Sequence, residues 1–319
     1  MRIIVAGASG AIGRQLVPML AEEGHTVVGL TRSQSKSSII EAAGAEAIVA
    51  DVLDAQAVKA AMRASEPEVV VHELTAIPPV VNPRRFAEEF APTNRLRREG
   101  TRNLVAAAAA AGSRRIVAQS IAQAYAPIGG WIKAELDPLY GDAPAVFRDT
   151  FQAVIDLEAT VLGASGLEAL VLRYGNFYGP GTAYGRDGSN ADLVRQQMFP
   201  LAGEGSAHWS FIHVRDAARA TVMAVSRGEP SVYNIVDDEP AAVADWLPVY
   251  AAALGAAEPP RTPPPRSAYG TYGMLLARGA SNAKAKRLLG WAPRYATWRE
   301  GFPDDLGLAP DALSPGLSC

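Results

Sequence analysis

The chain has 319 residues, 49% of them hydrophobic and 20% charged, with a net charge of −3. That composition suits a folded globular protein with a sizeable core and sets up no overall field for nucleic acid or an anionic membrane surface. The single cysteine, Cys319, leaves no internal disulfide and no cysteine metal cluster, so a reducing cytoplasm is the expected compartment. No window approaches the ~20 apolar residues of a membrane span.

The opening "MRIIVAGASG" runs straight from a strand into a glycine turn and lacks a signal-peptide core. Further strands are predicted at 26–30, 47–49, 68–72, 115–119 and 168–173. Helices are predicted at 11–23, 34–43, 54–63, 94–112 and 149–164. Strand and helix in alternation predict an α/β fold, a doubly wound parallel Rossmann sheet over 1–173. Beyond residue 174 turn-rich stretches break the alternation. Residues 174–303 are expected to form a smaller substrate-binding lobe that returns strands to the main sheet. The Pro-, Gly- and Asp-rich segment 304–319 is expected to be a poorly ordered tail.

"GASGAIG" follows the first strand and opens a helix. Gly7 allows the tight turn, Gly10 lets backbone approach a pyrophosphate, and Gly13 lets helix and strand pack closely. Free helix amides then attract the anion, which gathers Ser9, Ala11 and Ile12 into the site. The second strand ends "VVGLTRSQSK", with no acid to hold a ribose 2′-hydroxyl. Arg32, Ser33 and Lys36 suit a 2′-phosphate instead, so NADP(H) is the expected cofactor. In "ADVLD", Asp51 and Val52 lie where a chain end meets adenine; a turn or cap is the alternative role for Asp51.

With "NRLRREGTRNLVAAAAAAG", "LVLRYGNFYGPG", "SFIHVRDAARA" and "YNIVDDEP" added, the chain resembles an extended short-chain dehydrogenase/reductase of the NAD-dependent epimerase/dehydratase group. "VVVHELTAIP", "VAQSIAQAYA" and "GASNAKAKRLLGWAPRY" further resemble an actinobacterial subgroup of atypical reductases, the ketoreductases of the simocyclinone type that act on aromatic polyketides. The resemblance implies that Leu74, Thr75, Ala76, Asn94, Gln119, Tyr174, Asn176 and Phe177 also line the cofactor. It implies substrate contacts at Ser120, Ile121, Tyr125 and Asn176, and either a monomer or a homodimer.

The same resemblance exposes a departure. Such enzymes place a Ser or Thr after the fifth strand and a Tyr-x-x-x-Lys pair on the next helix. Counting back from Tyr125 puts the hydroxyl position at Ile121, with Ser120 one residue off. Glu158 sets the helix register, which puts Thr150 at the tyrosine position and Val154 at the lysine position. Ser120 and Thr150 are therefore the catalytic candidates. No metal is expected. The expected activity is reduction of a carbonyl on a hydrophobic, polycyclic aromatic polyketide, with the substrate itself stabilising the alkoxide. A cofactor-binding sensor and a sugar-nucleotide epimerase or dehydratase are the alternatives.

Three further expectations follow from the residues. Arg95, Arg97, Arg98 and Arg102 read as a solvated helix face. His72 and His213 read as structural histidines, and Asp216 as a helix cap. Trp131, Trp209, Phe177 and Tyr178 are candidates for flat walls against an aromatic ligand.

Overall fold

The computed structural model describes residues 1–306. Seven parallel strands form the central sheet: β1 (Arg2–Ala6), β2 (Thr26–Thr31), β3 (Glu46–Val49), β4 (Val69–His72), β5 (Arg115–Ile121), β6 (Glu168–Tyr174) and β7 (Ser231–Ile235). Their spatial order is β3-β2-β1-β4-β5-β6-β7. This is the doubly wound arrangement that the strand–helix alternation predicts. Order reverses between β1 and β4, which opens the crevice at the strands' carboxyl ends where such sheets bind ligands.

Strands buried on both faces read as continuous β-branched runs, and "RIIVA" and "VVVH" do. Ile4 pairs with Val28 on one side and Val70 on the other. Alternate residues then feed two cores. Ile3, Val5, Val69, Val71, Val117 and Leu172 pack under α1 (Gly13–Glu22) and the helix Val214–Ala224. Ile4, Val70, Ile116 and Ala118 pack on the opposite face, under α3 (Ala55–Ser65), α5 (Thr101–Ala110) and α6 (Ala145–Leu162). The short α2 (Ser37–Ala42) follows β2 at the sheet's edge.

A third core fills the lobe, with Tyr184, Phe211, Trp246, Tyr250 and Phe302 among its buried members. Short two-residue pairings knit it: Leu201–Ala202 with Arg261–Thr262, and His208–Trp209 with Ala241–Ala242. β7 returns from this region to pair with β6.

Two expectations on element ends need correcting. The helix expected at 94–112 is preceded by α4 (Phe86–Arg95), which carries Pro92 inside it and joins α5 through a π-helical turn, Leu96–Gly100. Proline reads as a stop in sequence, but it sits at position 92 while the flanking turns keep their bonds. Residues 304–306, assigned above to the tail, form the last turn of the helix Trp298–Leu306. The remainder of that tail, 307–319, lies outside the described residues. Among the described residues no helix is long and apolar enough to cross a membrane.

Candidate active site

The glycine turn sits at the carboxyl end of β1. Gly7 has φ +100°, and the Gly10 amide donates to its carbonyl at 2.9 Å. A Cβ on Gly13 would lie 2.3 Å from the Gly7 oxygen, so this glycine closes helix onto strand. A Cβ on Gly10 would meet only that oxygen, at 3.2 Å, because Gly10 faces the open side. Ser9 and Ala11 are half-buried beside it, Ile12 is buried in the core, and Arg14 Nε donates to the Ser9 carbonyl at 3.1 Å. α1 begins with no acidic residue in its first turn and no side-chain cap on Ile12. The Arg14 and Leu16 amides already donate to the Gly10 and Ile12 carbonyls, so the amides of Ala11, Ile12 and Gly13 at the turn into α1 are the ones left for an external anion.

At the end of β2, Arg32 and Lys36 are exposed, and Ser33 is half-buried with its amide donating to Thr31 Oγ1 at 3.2 Å. Arg14 and Ser38 line an open groove with Ala8 and Ile39 close by. Neither was singled out in the sequence, where nothing brings residue 14 to residue 38. Asp51 Oδ1 accepts from the Leu53 amide at 3.0 Å, a turn role, while the neighbouring Asp54 caps α3. Val52 is buried, and Asn103 Nδ2 donates to its carbonyl at 2.9 Å.

At the crevice two polar sets form on opposite faces of the sheet. On the α1 face, Glu73 follows β4, and its backbone oxygen would be 2.7 Å from a Cβ on Gly7. Tyr174 donates to Glu73 Oε1 at 3.1 Å and meets Thr221 Oγ1 at 2.6 Å. Burial pushes the Glu73 carboxyl up to about 8, tempered by the tyrosine bond. Glu73 Oε2 and Gln119 Nε2 are both buried without a partner. The Tyr174 hydroxyl is thus committed to the interior, and the Tyr174 ring packs 5.2 Å from that of Phe177. Asn176 is half-buried and its Nδ2 donates to the Ser210 carbonyl at 3.3 Å.

On the α6 face, His72 Nε2 meets Thr101 Oγ1 at 2.9 Å and Nδ1 accepts from the Leu74 amide at 3.3 Å. Burial pulls this imidazole down to about 4, with help from nearby Arg97, so it is neutral and structural. Leu74 and Ala76 are half-buried and Thr75 exposed; the Ala76 amide donates to Thr93 Oγ1 at 3.0 Å. Asn94 is 1% exposed and its Nδ2 bridges Asp149 Oδ2 at 2.8 Å and Thr150 Oγ1 at 3.2 Å. Thr150 therefore spends its hydroxyl oxygen on Asn94. Val154 lies in the apolar lobe core with Phe147 and Phe151, and Ile121 packs against it.

Ser120 and Tyr125 belong to a separate buried network. Ser120 donates to Glu158 Oε1 at 2.6 Å. Arg173 grips both Glu158 oxygens, at 2.8 and 2.6 Å, and donates to the Tyr125 hydroxyl at 2.8 Å. The Tyr125 hydroxyl in turn donates to Asn234 Oδ1 at 2.8 Å. Sequence reasoning used Glu158 only to set register. Its partner Arg173 lies 15 residues on, in the next strand, β6, and gave no local signal.

Three other expectations resolve here. His213 is structural: its Nδ1 accepts from the Arg215 amide at 3.2 Å and caps the helix Val214–Ala224. Asp216 is not the cap; it sits in the first turn and accepts from the Tyr295 amide at 3.1 Å. Of the proposed aromatic walls, Tyr178 and Phe177 pack inward, and Trp209 lies 5.1 Å from Trp246. Trp131 stacks on His208 at 4.8 Å under Arg278. A different aromatic group borders α6: Phe86 and Phe90 of α4, Phe147 and Phe151 of α6, with Tyr269 and Tyr272.

The glycine cradle, the amides of Ala11, Ile12 and Gly13 at the turn into α1, and the unpartnered polar atoms fit a nicotinamide dinucleotide laid across the crevice. The fold and cradle define a Rossmann-type dinucleotide-binding protein. The NAD dependent epimerase/dehydratase family model matches residues 3–236, and the chain belongs to that family.

It is 46% identical to a 3-diazoavenalumate denitrifying reductase from a Streptomyces species, over 95% of this chain and 99% of that one. It is 26% identical to a UDP-glucose 4-epimerase of Mycolicibacterium smegmatis, over 93% of this chain and 95% of that one. The fold matches the Thermus thermophilus UDP-glucose 4-epimerase solved with NAD. There the TM-score is 0.75 at 24% identity, over 96% of this chain and 98% of that one. These matches support a reductase of this family and do not single out the simocyclinone-type ketoreductases named from sequence.

Proposed function

We propose that the chain is an NADPH-dependent reductase of a hydrophobic aromatic substrate, working without a protein acid at the usual tyrosine position. One observation carries the reading. On α6 the tyrosine and lysine positions hold Thr150, bonded to Asn94, and Val154, sealed into an apolar core. Among the described residues no tyrosine hydroxyl is hydrogen-bonded to a lysine amine; Lys133, Lys284 and Lys286 bond elsewhere.

NADPH supplies the hydride. The chain's own residues hold and orient. The amides of Ala11, Ile12 and Gly13 take the pyrophosphate, and Ser9 flanks it. Arg32, Ser33 and Lys36 take the 2′-phosphate, and Asp51 and Val52 border the adenine. Leu74, Thr75, Ala76 and Gln119 line the middle, and Asn176 and Phe177 the nicotinamide end, while Asn94 is turned to Asp149 and Thr150 of α6. Holding reactants in place is worth about 7–11 kcal/mol, whereas a lost general acid costs about 10²- to 10⁴-fold. Positioning therefore suffices where the substrate manages its own charge.

Two substrates do so. In a polycyclic ketone flanked by a phenol, an internal hydrogen bond stabilises the alkoxide. The second is favoured by the name of the 46% identical relative. Hydride added to the terminal nitrogen of an aryl diazonium gives an aryl diazene, which leaves as arene and N₂, and no oxyanion forms. A sugar nucleotide offers neither route, which disfavours epimerase chemistry.

The test is anaerobic NADPH oxidation at 340 nm, with headspace N₂ measured, against phenol-flanked polycyclic ketones, their methyl ethers and hydroxyaryl diazo acids. Oxidation with one aromatic class is expected. Tight NADPH binding with no oxidation across the panel would make the protein a sensor, and turnover of UDP-glucose would make it an epimerase.

A further inference from the structure

The π-helical turn Leu96–Gly100 joins α4 to α5. Such turns add one residue to a helix and recur at functional sites. Here the turn directs one arginine of a basic run inward. Arg95 and Arg98 stay outside, paired with Glu99 and with Asp149 and Asp156. Arg97 is 3% exposed, its Nη1 has no hydrogen-bond partner, and no ion pair to it forms among the described residues. The expectation of a solvated face fails at this position.

A buried guanidinium without a counter-charge is costly, and burial pulls Arg97 down to about 10. It stays charged at neutral pH all the same. Its neighbour His72 is neutral and bonded to Thr101 and Leu74, so it supplies no negative charge. One turn earlier on the same helix, Asn94 Oδ1 is also buried and unpartnered, while its Nδ2 reaches Thr150. Arg97, close to His72, and Asn94, bonded to Thr150 at the vacated tyrosine position, thus bring two unmet polar atoms to the α6 face.

We propose that Arg97 binds an oxyanion of the aromatic substrate, a phenolate or carboxylate, and supplies the positive charge that the α6 lysine position lacks. The source is the substrate rather than the dinucleotide. The phosphate-binding amides belong to α1 at β1, on the other face of the sheet, and the 2′-phosphate residues follow β2. Arg97 lies close to His72 at the end of β4, and Asn94, one turn before it, bonds to Asp149 and Thr150 of α6. The inference rests on the aromatic-substrate reading above, though its test does not require turnover.

The probe is 4-hydroxycinnamate, titrated calorimetrically into protein saturated with NADP⁺, with its methyl ester and methyl ether as neutralised controls. Arg97→Met should weaken binding of the probe at least about tenfold, as loss of one charge-assisted bond does. NADP⁺ affinity should stay within about threefold, and the melting temperature should rise, because an unpaired buried charge has gone. Arg97→Lys should recover part of the affinity, and Arg95→Met should change nothing.

A lower melting temperature with unchanged probe affinity would make Arg97 a structural residue and overturn the proposal. So would loss of NADP⁺ affinity, which would assign the guanidinium to the cofactor, or failure of the wild-type protein to bind the probe. A protein that binds through Arg97 but never oxidises NADPH would sink the reductase reading alone.

Discussion

Glu158 on α6 and Arg173 on β6 form a two-pronged ion pair at 2.6 and 2.8 Å, with both side chains buried. This pair draws Ser120 and Tyr125 into the interior, away from the crevice that sequence comparison assigned to them. Ser120→Ala and Tyr125→Phe should each cost about 1 kcal/mol of stability in urea unfolding. Their kcat/KM should stay within about threefold of wild type. Glu158→Gln should cost more, roughly 3–5 kcal/mol, because it strands a buried guanidinium.

The glycine turn gives a pair of substitutions with opposite readouts. Gly10→Ala meets only the Gly7 oxygen, at 3.2 Å, so the protein should fold with nearly unchanged melting temperature. Its NADPH affinity, read by cofactor fluorescence, should fall sharply, since the methyl occupies the open side. Gly13→Ala would bring atoms to 2.3 Å, so stability should fall as well.

Arg32 should decide between the two nicotinamide cofactors. Arg32→Ala should raise KM for NADPH about 10- to 100-fold, the range of a charge-assisted bond to phosphate, and leave KM for NADH almost unchanged. Steady-state kinetics with both cofactors measures this. Equal effects on the two would remove the 2′-phosphate role.

Glu73 predicts a pH dependence of stability. Its folded carboxyl is raised to about 8, chiefly by burial, while the unfolded chain ionises in the ordinary carboxylate range. Between those values the folded state keeps a proton that the unfolded state has lost, so stability falls as pH rises. The contribution is complete below the unfolded value and gone once pH passes the folded one. Thermal unfolding from pH 5 to 9 should show this decline in the wild type. Glu73→Gln should flatten it, with a gain of roughly a few kcal/mol above pH 8.

The parts of this protein that were legible in sequence are those whose cause is local. "RIIVA", "VVVH" and "GASGAIG" state their burial and their turn in adjacent residues, so the parallel sheet and the cradle could be read directly. The vacancy on α6 was legible too, because Glu158 carries a register along one helix.

What escaped was set by contacts between distant segments. Ser120 looked available until Arg173 and Glu158 claimed it. Tyr174 looked like a cofactor contact until its hydroxyl met Glu73 and Thr221. Arg97 looked solvated because a regular helical wheel cannot anticipate a π turn. The aromatic group of Phe86, Phe90, Phe147, Phe151, Tyr269 and Tyr272 comes from three separate stretches of chain. No window of sequence contains it.

The π turn also makes chain length a control on chemistry. Removing one residue from 96–100 would restore ordinary helix there and rotate everything before it by about 100° relative to α5. Arg97 would swing off the inner face, and another side chain would take its place with no change at the reacting centre itself. Related proteins could thus trade one substrate charge for another through a single-codon insertion or deletion, a change that position-by-position comparison of side chains would record as a mere gap.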